Sequence, residues 1–139
     1  MSNIYFKYIV SIIVIVLLIS ACNSETTNYS NTRISVLDTK NLIADNKKVT
    51  ILDVRTPKEF SRGHIAGAIN INIHDPNFSK YAATLDKDKL YIVHCAVNPR
   101  GGRGDKSIHI MDELGFSNLL SMDGGINAWK RAGLPISNS

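Results

Sequence analysis

Short apolar runs alternate with amphipathic stretches along most of the chain. The runs Thr50–Asp53 (TILD), Ala68–Ile71 (AINI), Leu90–His94 (LYIVH) and Leu119–Met122 (LLSM) read as strands, and Arg33–Val36 as a further edge strand. Between them, helical patterns cover Asp38–Ala44, Pro57–Ser61, Phe78–Leu85, Asp105–Leu114 and Ile126–Ala132. Strands separated by helices predict βαβ units, hence an α/β domain with a central parallel sheet of about five strands flanked by helices. TIL and LYIV are continuous apolar runs rather than alternations, as expected of strands covered on both faces. In the helix after Gly104, Ile108, Met111 and Leu114 share one face, Asp105 or Ser107 can cap the start, and Gly115 stops it.

The beginning of the chain has a different pattern. Ile9–Ile19 is almost wholly Ile, Val and Leu, after a start whose only cation is Lys7. Such a run is short for a membrane-crossing helix, which needs about 20 apolar residues, and small residues follow it, as in a secretory signal. Those residues, ISAC from Ile19 to Cys22, resemble the bacterial lipobox, whose cysteine is lipidated and becomes the first residue of the mature protein. The expected organisation is a lipoprotein signal peptide over 1–21, a lipidated Cys22 heading a polar tether that reaches residue 32, and one folded domain over 33–139. An uncleaved anchor helix is the alternative. Both place the domain outside the cytoplasmic membrane and tethered to it.

The formal charge of +4 is spread along the chain, with no basic stripe interleaved with aromatics, which argues against a nucleic-acid partner. His74 and His109 have no partner at metal-ligand spacing and no Cys pair exists, so neither a metal nor another cofactor is expected. Small size and the lack of an obvious apolar surface stripe favour a monomer.

With Cys22 lipidated, Cys95 is the lone free thiol, in a compartment where cysteines are usually paired or avoided. It sits where Leu90–His94 ends, and parallel α/β sheets bind ligands beyond the carboxyl ends of their strands. The stretch IVHCAVNPRGGRGDKS (92–107) then adds glycines, arginines and a helix whose N-terminus faces back toward the thiol. A helix dipole and the nearby Arg100 and Arg103 favour the reactive thiolate, and the two arginines could bind an anionic substrate. Gly101, Gly102 and Gly104 lack Cβ atoms and can take positive φ, which would turn successive amides inward as an anion-binding nest. The plain alternative is a solvent-exposed turn beside a buried structural cysteine.

Three further stretches resemble one family. ILDVRTPKEFSRGHIAGAINI (51–71) is similar to the first signature of rhodanese-like sulfurtransferase domains, and MDGGINAWKRAGLP (122–135) to their last. KLYIVHC (89–95) looks like the strand that delivers their catalytic cysteine. The resemblance extends in order and spacing from Ser35 to Pro135. It implies a small rhodanese-like α/β domain. In that family the cysteine takes a sulfane sulfur from a donor such as thiosulfate, becomes a persulfide, and passes the sulfur to a thiol or cyanide. Carried over, Cys95 is the nucleophile and the amides from Ala96 to Gly104 cradle its sulfur. Splitting one transfer into two through a covalent intermediate is nucleophilic catalysis.

The loop departs from the family pattern in length. Cys95 to Arg100 keeps the usual four intervening residues, yet the late stop at Gly115 implies about three extra, so either Arg100 or Arg103 can take the familiar part. Pro99 removes one amide donor. A phosphatase or arsenate-reductase reading competes. Tyrosine phosphatases and the related dual-specificity cell-cycle phosphatases place five residues between Cys and Arg, against four to Arg100 or seven to Arg103 here. A non-enzymatic binding module is the third reading; rhodanese-like domains that lack the cysteine often serve that way, and the presence of Cys95 argues against it. Asp53 and Arg55 lie past a strand end on the side of the site. They either support the loop or form a structural ion pair with each other or with Glu59. His64 reads as a buried structural residue and Trp129 as core, while alternation turns His94 away from the Cys95 side chain. Gly124 and Gly125 turn the chain after the last strand and bring its backbone near the site.

Overall fold

A computed structural model describes residues 32–45 and 48–138. The apolar run at 9–19, Cys22 and the tether up to residue 31 lie outside the described residues. The elements follow in the order β1 (Thr32–Ile34), α1 (Val36–Asp45), β2 (Val49–Asp53), α2 (Pro57–Ser61), β3 (Ile69–Asn70), α3 (Phe78–Ala82), β4 (Leu90–His94), α4 (Arg103–Glu113), β5 (Leu119–Met122) and α5 (Gly125–Arg131). The five strands form one sheet in the order β1-β5-β4-β2-β3, with every pair parallel. The expected helix-flanked parallel sheet is therefore present, and β4 lies at its centre.

Register explains the continuous apolar runs. Ile51 pairs with Ile92 and Ile92 with Leu120, and these side chains face a core made with Ile65, Met122, Ile126 and Trp129. Their chain neighbours Leu52, Tyr91, Val93 and Leu119 point the other way, into a core with Phe78, Ile108, Met111 and Phe116. Successive side chains on a strand alternate faces, so a strand with helices on both sides must be apolar at every position. Burying each large aliphatic or aromatic chain contributes about 1.5–3 kcal/mol.

Several boundaries differ from the sequence reading, each for a local reason. Helix α1 begins two residues before Asp38 because the Ser35 hydroxyl accepts the Asp38 N–H at 3.1 Å and caps the first turn. Strand β3 has only two residues, and the side-chain amide of the second, Asn70, donates to the carbonyls of Asp53 and Arg55 at 2.8 and 2.9 Å. Helix α3 stops at Ala82, short of Leu85, where the Thr84 hydroxyl donates to the Tyr81 carbonyl at 2.7 Å. Helix α2 is only five residues but carries a full capping box with Pro57 in the first turn. Glu59 donates its N–H to the Thr56 hydroxyl at 3.2 Å, and the Thr56 N–H donates to the Glu59 carboxylate at 3.0 Å. That box fixes the Glu59 side chain.

His64 and Trp129 are structural, as their sequence context indicates. The His64 ring stacks on Phe60 with centroids 3.8 Å apart, and the backbone at His64 pairs with Ser137. Trp129 is buried and donates its indole N–H to the Pro135 carbonyl at 2.8 Å.

Candidate active site

Cys95 follows the last residue of β4, at the carboxyl edge of the sheet's central strand, and is a free thiol with 3% of its surface exposed. Its backbone is fixed from two sides. Its carbonyl accepts the Ile126 N–H at 3.0 Å, and the His94 ring nitrogen Nδ1 lies 3.1 Å from the same oxygen. The first contact needs a glycine at position 125. A Cβ there would lie 2.3 Å from the Cys95 carbonyl oxygen, and Gly125 has φ +56°. The closing glycines thus bring the start of α5 against the thiol-bearing residue, as the sequence suggested.

His94 takes no direct part at the sulfur. Its ring is fully buried, and burial pushes its pKa below the ordinary 6.5, with Asp53 opposing the shift. A carbonyl faces Nδ1, so the neutral ring carries its proton there and donates it to Cys95 O. Nε2 is then a lone pair without a hydrogen-bond partner, 3.8 Å from Asp53 Oδ2.

The sulfur is met by an amide that the sequence reading did not single out. The Asn98 N–H donates to Cys95 Sγ at 3.0 Å. Asn98 has φ 55°, the one non-glycine residue at positive φ among those described, and is 1% exposed. An Asn tolerates the left-handed region better than most residues, at a strain of roughly 1–2 kcal/mol. Side-chain and backbone bonds offset that strain: Nδ2 donates to Ser121 Oγ at 2.9 Å and to the Met122 carbonyl at 2.8 Å, and Arg33 donates to the Asn98 carbonyl at 2.6 Å. Gly104 makes room. A Cβ on it would lie 1.8 Å from Asn98 Oδ1.

The three-glycine nest expected from the sequence does not form in this way. Only Gly101 of the three has positive φ, and its N–H is taken by Asp105 Oδ2 at 2.8 Å. The Gly102 N–H donates to the Pro99 carbonyl at 2.9 Å, closing a tight turn. Gly104 lies inside α4, which starts at Arg103 rather than at Asp105 and has Gly102 as its N-cap. Asp105 therefore is not the cap. From the first turn its carboxylate reaches back to the loop, binding Gly101, Ser121 and Arg33. Ser107 turns inward and donates to the Arg103 carbonyl.

The two candidate arginines diverge. Arg100 is exposed in the turn. Arg103, at the start of α4, is close enough to the thiol that Cys95 helps raise its pKa, though the main cause is Glu59. Glu59 meets Arg103 through two hydrogen bonds of 3.0 and 3.1 Å, and that pairing holds the Glu59 carboxyl down at about 2. Asp53 and Arg55 pair with each other and not with Glu59. Arg55 Nη2 lies 2.6 Å from Asp53 Oδ2 and also donates to the Gly63 carbonyl at 2.9 Å, all within the buried interior. Arg33 binds both Asp105 and Asp123.

The arrangement is a strand-end thiol held by a left-handed amide, at the N-terminal end of a helix and beside a guanidinium. Such surroundings suit a cysteine nucleophile and the anionic adducts it forms. Comparison with known proteins points the same way. Residues 35–132 match the family model of the Rhodanese-like domain. The chain is 34% identical over 86 residues to the protein named Thiosulfate sulfurtransferase GlpE of Shewanella oneidensis, covering 62% of this chain and 80% of that one. It is 33% identical over 95 residues to Thiosulfate sulfurtransferase 16, chloroplastic, of Arabidopsis thaliana, with coverages of 60% and 76%. The crystal structure of a rhodanese-related protein from Thermoplasma volcanium superposes with a TM-score of 0.67 at 32% identity, covering 78% of this chain and 99% of that one. The fold, the strand-end cysteine and a match over most of the described residues lead to one assignment: the chain belongs to the rhodanese-like domain family.

Proposed function

We propose that this protein is an exported, lipid-anchored sulfurtransferase that works through a persulfide on Cys95. The observation that carries the reading is the Asn98 N–H on Cys95 Sγ, at the one free thiol among the described residues. In the first half-reaction the thiolate attacks the outer sulfur of a sulfane donor. With thiosulfate, the new bond joins Sγ to that sulfur, the donor's S–S bond breaks, and its electron pair leaves on sulfite. In the second, a thiol or cyanide takes the outer sulfur and returns the thiolate. The relatives named thiosulfate sulfurtransferase support this chemistry. The apolar run, ISAC and Cys22 support export and a lipid anchor.

The test is the intact mass of the full chain in detergent before and after excess thiosulfate, then after cyanide. A gain of one sulfur, removed by cyanide and absent in Cys95→Ser, is expected. Unchanged sulfur uptake in Cys95→Ser would defeat the reading. Palmitate labelling in cells, present in wild type and lost in Cys22→Ala, checks the anchor. The 3% exposure of Cys95 favours a second reading, a binding module whose thiol is sealed. It predicts no sulfur gain and a thiol that resists alkylation. A phosphatase or arsenate reductase would instead hydrolyse an aryl phosphate in a Cys95-dependent way.

A further inference from the structure

The site is rich in arginine yet presents little free positive charge. Arg33, Arg55 and Arg103 face Asp53, Glu59, Asp105 and Asp123, so each of these three arginines has a carboxylate partner. Arg103 is the one beside the sulfur, and two of its five N–H donors go to Glu59. Arg100 adds one cation, exposed in the turn. A dianion approaching Cys95 thus meets a charge-balanced Arg103–Glu59 pair. The turn that follows Cys95 also exposes apolar groups. Val97, two residues from the thiol, is 55% exposed, and Pro99 and Ala96 flank the same turn.

We infer that Glu59 is a specificity-determining residue that cancels the charge of Arg103, so that the site selects an alkyl persulfide carrying one negative charge or none over a dianionic donor such as thiosulfate. This inference rests on the sulfurtransferase reading and narrows its donor. The exposed apolar groups of that turn suit the carbon chain of an alkyl persulfide, R–S–SH. In the transfer, Cys95 Sγ bonds to the terminal sulfur, the donor S–S bond breaks, and the electron pair leaves on R–S⁻. The proton stays on the transferred sulfur, and no external oxidant is needed. Glu59 suits this task because its capping box with Thr56 holds the carboxylate in place.

The experiment compares two donors, thiosulfate and ethyl persulfide, on the full chain in detergent, wild type and Glu59→Gln, with the rate of sulfur gain at Cys95 read by mass. Glutamine keeps an oxygen for the Thr56 N–H, so α2 retains its cap. Freeing a guanidinium a few ångströms from a dianion should raise the thiosulfate-to-persulfide rate ratio about tenfold at low salt, and by less as salt is added. A ratio unchanged within about twofold at low ionic strength would overturn the inference. Sulfate, an unreactive dianion, gives a readout that needs no variant. In wild type, sulfate at about 20 mM should not protect Cys95 from iodoacetamide beyond the effect of equal ionic strength from chloride. Saturable protection in the low millimolar range would overturn the inference as well. If neither donor loads wild-type Cys95, the sulfurtransferase reading fails and the donor assignment falls with it. If both donors load and the ratio does not move, the donor assignment alone fails.

Discussion

Replacing Asp53 with alanine should destabilise the domain by about 3–5 kcal/mol, because it strands the Arg55 guanidinium in the interior without a counter-charge. Arg55 is 4% exposed and Asp53 fully buried, and the carboxylate accepts from Arg55 N, Nε and Nη2 at 2.6 to 3.0 Å. Such a loss is large beside a total stability of roughly 5–15 kcal/mol for a domain of this size, and should lower the thermal midpoint by roughly 15–30 °C. The effect belongs to the orphaned charge, not to the worth of the pair. The double variant Asp53→Ala/Arg55→Met removes both charges and should recover most of the loss, since paired apolar replacement of a buried ion pair is often near neutral. Urea unfolding of wild type and the two variants measures this directly. A single-variant loss under about 1 kcal/mol would mean that water reaches Arg55, and a double variant no better than the single would mean that the Gly63 contact matters more than the charge.

The position of Cys95 and the layers around it were legible because they follow from short-range patterns. LYIVH ends in a cysteine, both faces of that strand are apolar, and the glycines and arginines after it mark a loop. The amide on the sulfur, that of Asn98, falls within the range 96–104 implied by the resemblance, but the groups that hold Asn98 were not legible, because they depend on contacts between distant segments. Arg33 reaches the Asn98 carbonyl across 65 positions and Asp123 across 90, and Arg103 reaches Glu59 across 44. No periodicity encodes such pairs. The glycine reading failed for a related reason. Three glycines permit a nest, but Asp105 and Pro99 capture the amides of Gly101 and Gly102, and Gly104 serves to clear space for Asn98. One local signal was present. Asn98-Pro99 is a turn-forming pair, and Asn is the residue other than glycine most at ease with positive φ.

Gly104→Ala separates these roles, since two effects of opposite sign meet there. Alanine inside a helix is favoured over glycine by about 1 kcal/mol, so local helix preference predicts a more stable α4. The Cβ, however, would sit 1.8 Å from Asn98 Oδ1, and neither partner can yield easily: Asn98 is 1% exposed and tied to Ser121, Met122 and Arg33. Overpacking of this kind typically costs about 1–3 kcal/mol, so the clash outweighs the propensity gain. The cheapest relief is to displace Asn98, which withdraws its N–H from Cys95 Sγ. Gly104→Ala should therefore lose about tenfold to a hundredfold in the rate of sulfur uptake or thiol alkylation at neutral pH, in line with the loss of one charge-assisted hydrogen bond of about 1.5–3 kcal/mol. The decisive comparison adds Asn98→Gly. Glycine accepts φ 55° without strain and leaves the space that the new Cβ needs, so the double variant should react faster than Gly104→Ala alone. Rescue in that direction would show that position 104 acts on the thiol through Asn98. If Asn98→Gly slows the Gly104→Ala protein further, the glycine at 104 is required for something other than Asn98, and the amide at 98 is not what governs the reactivity of Cys95.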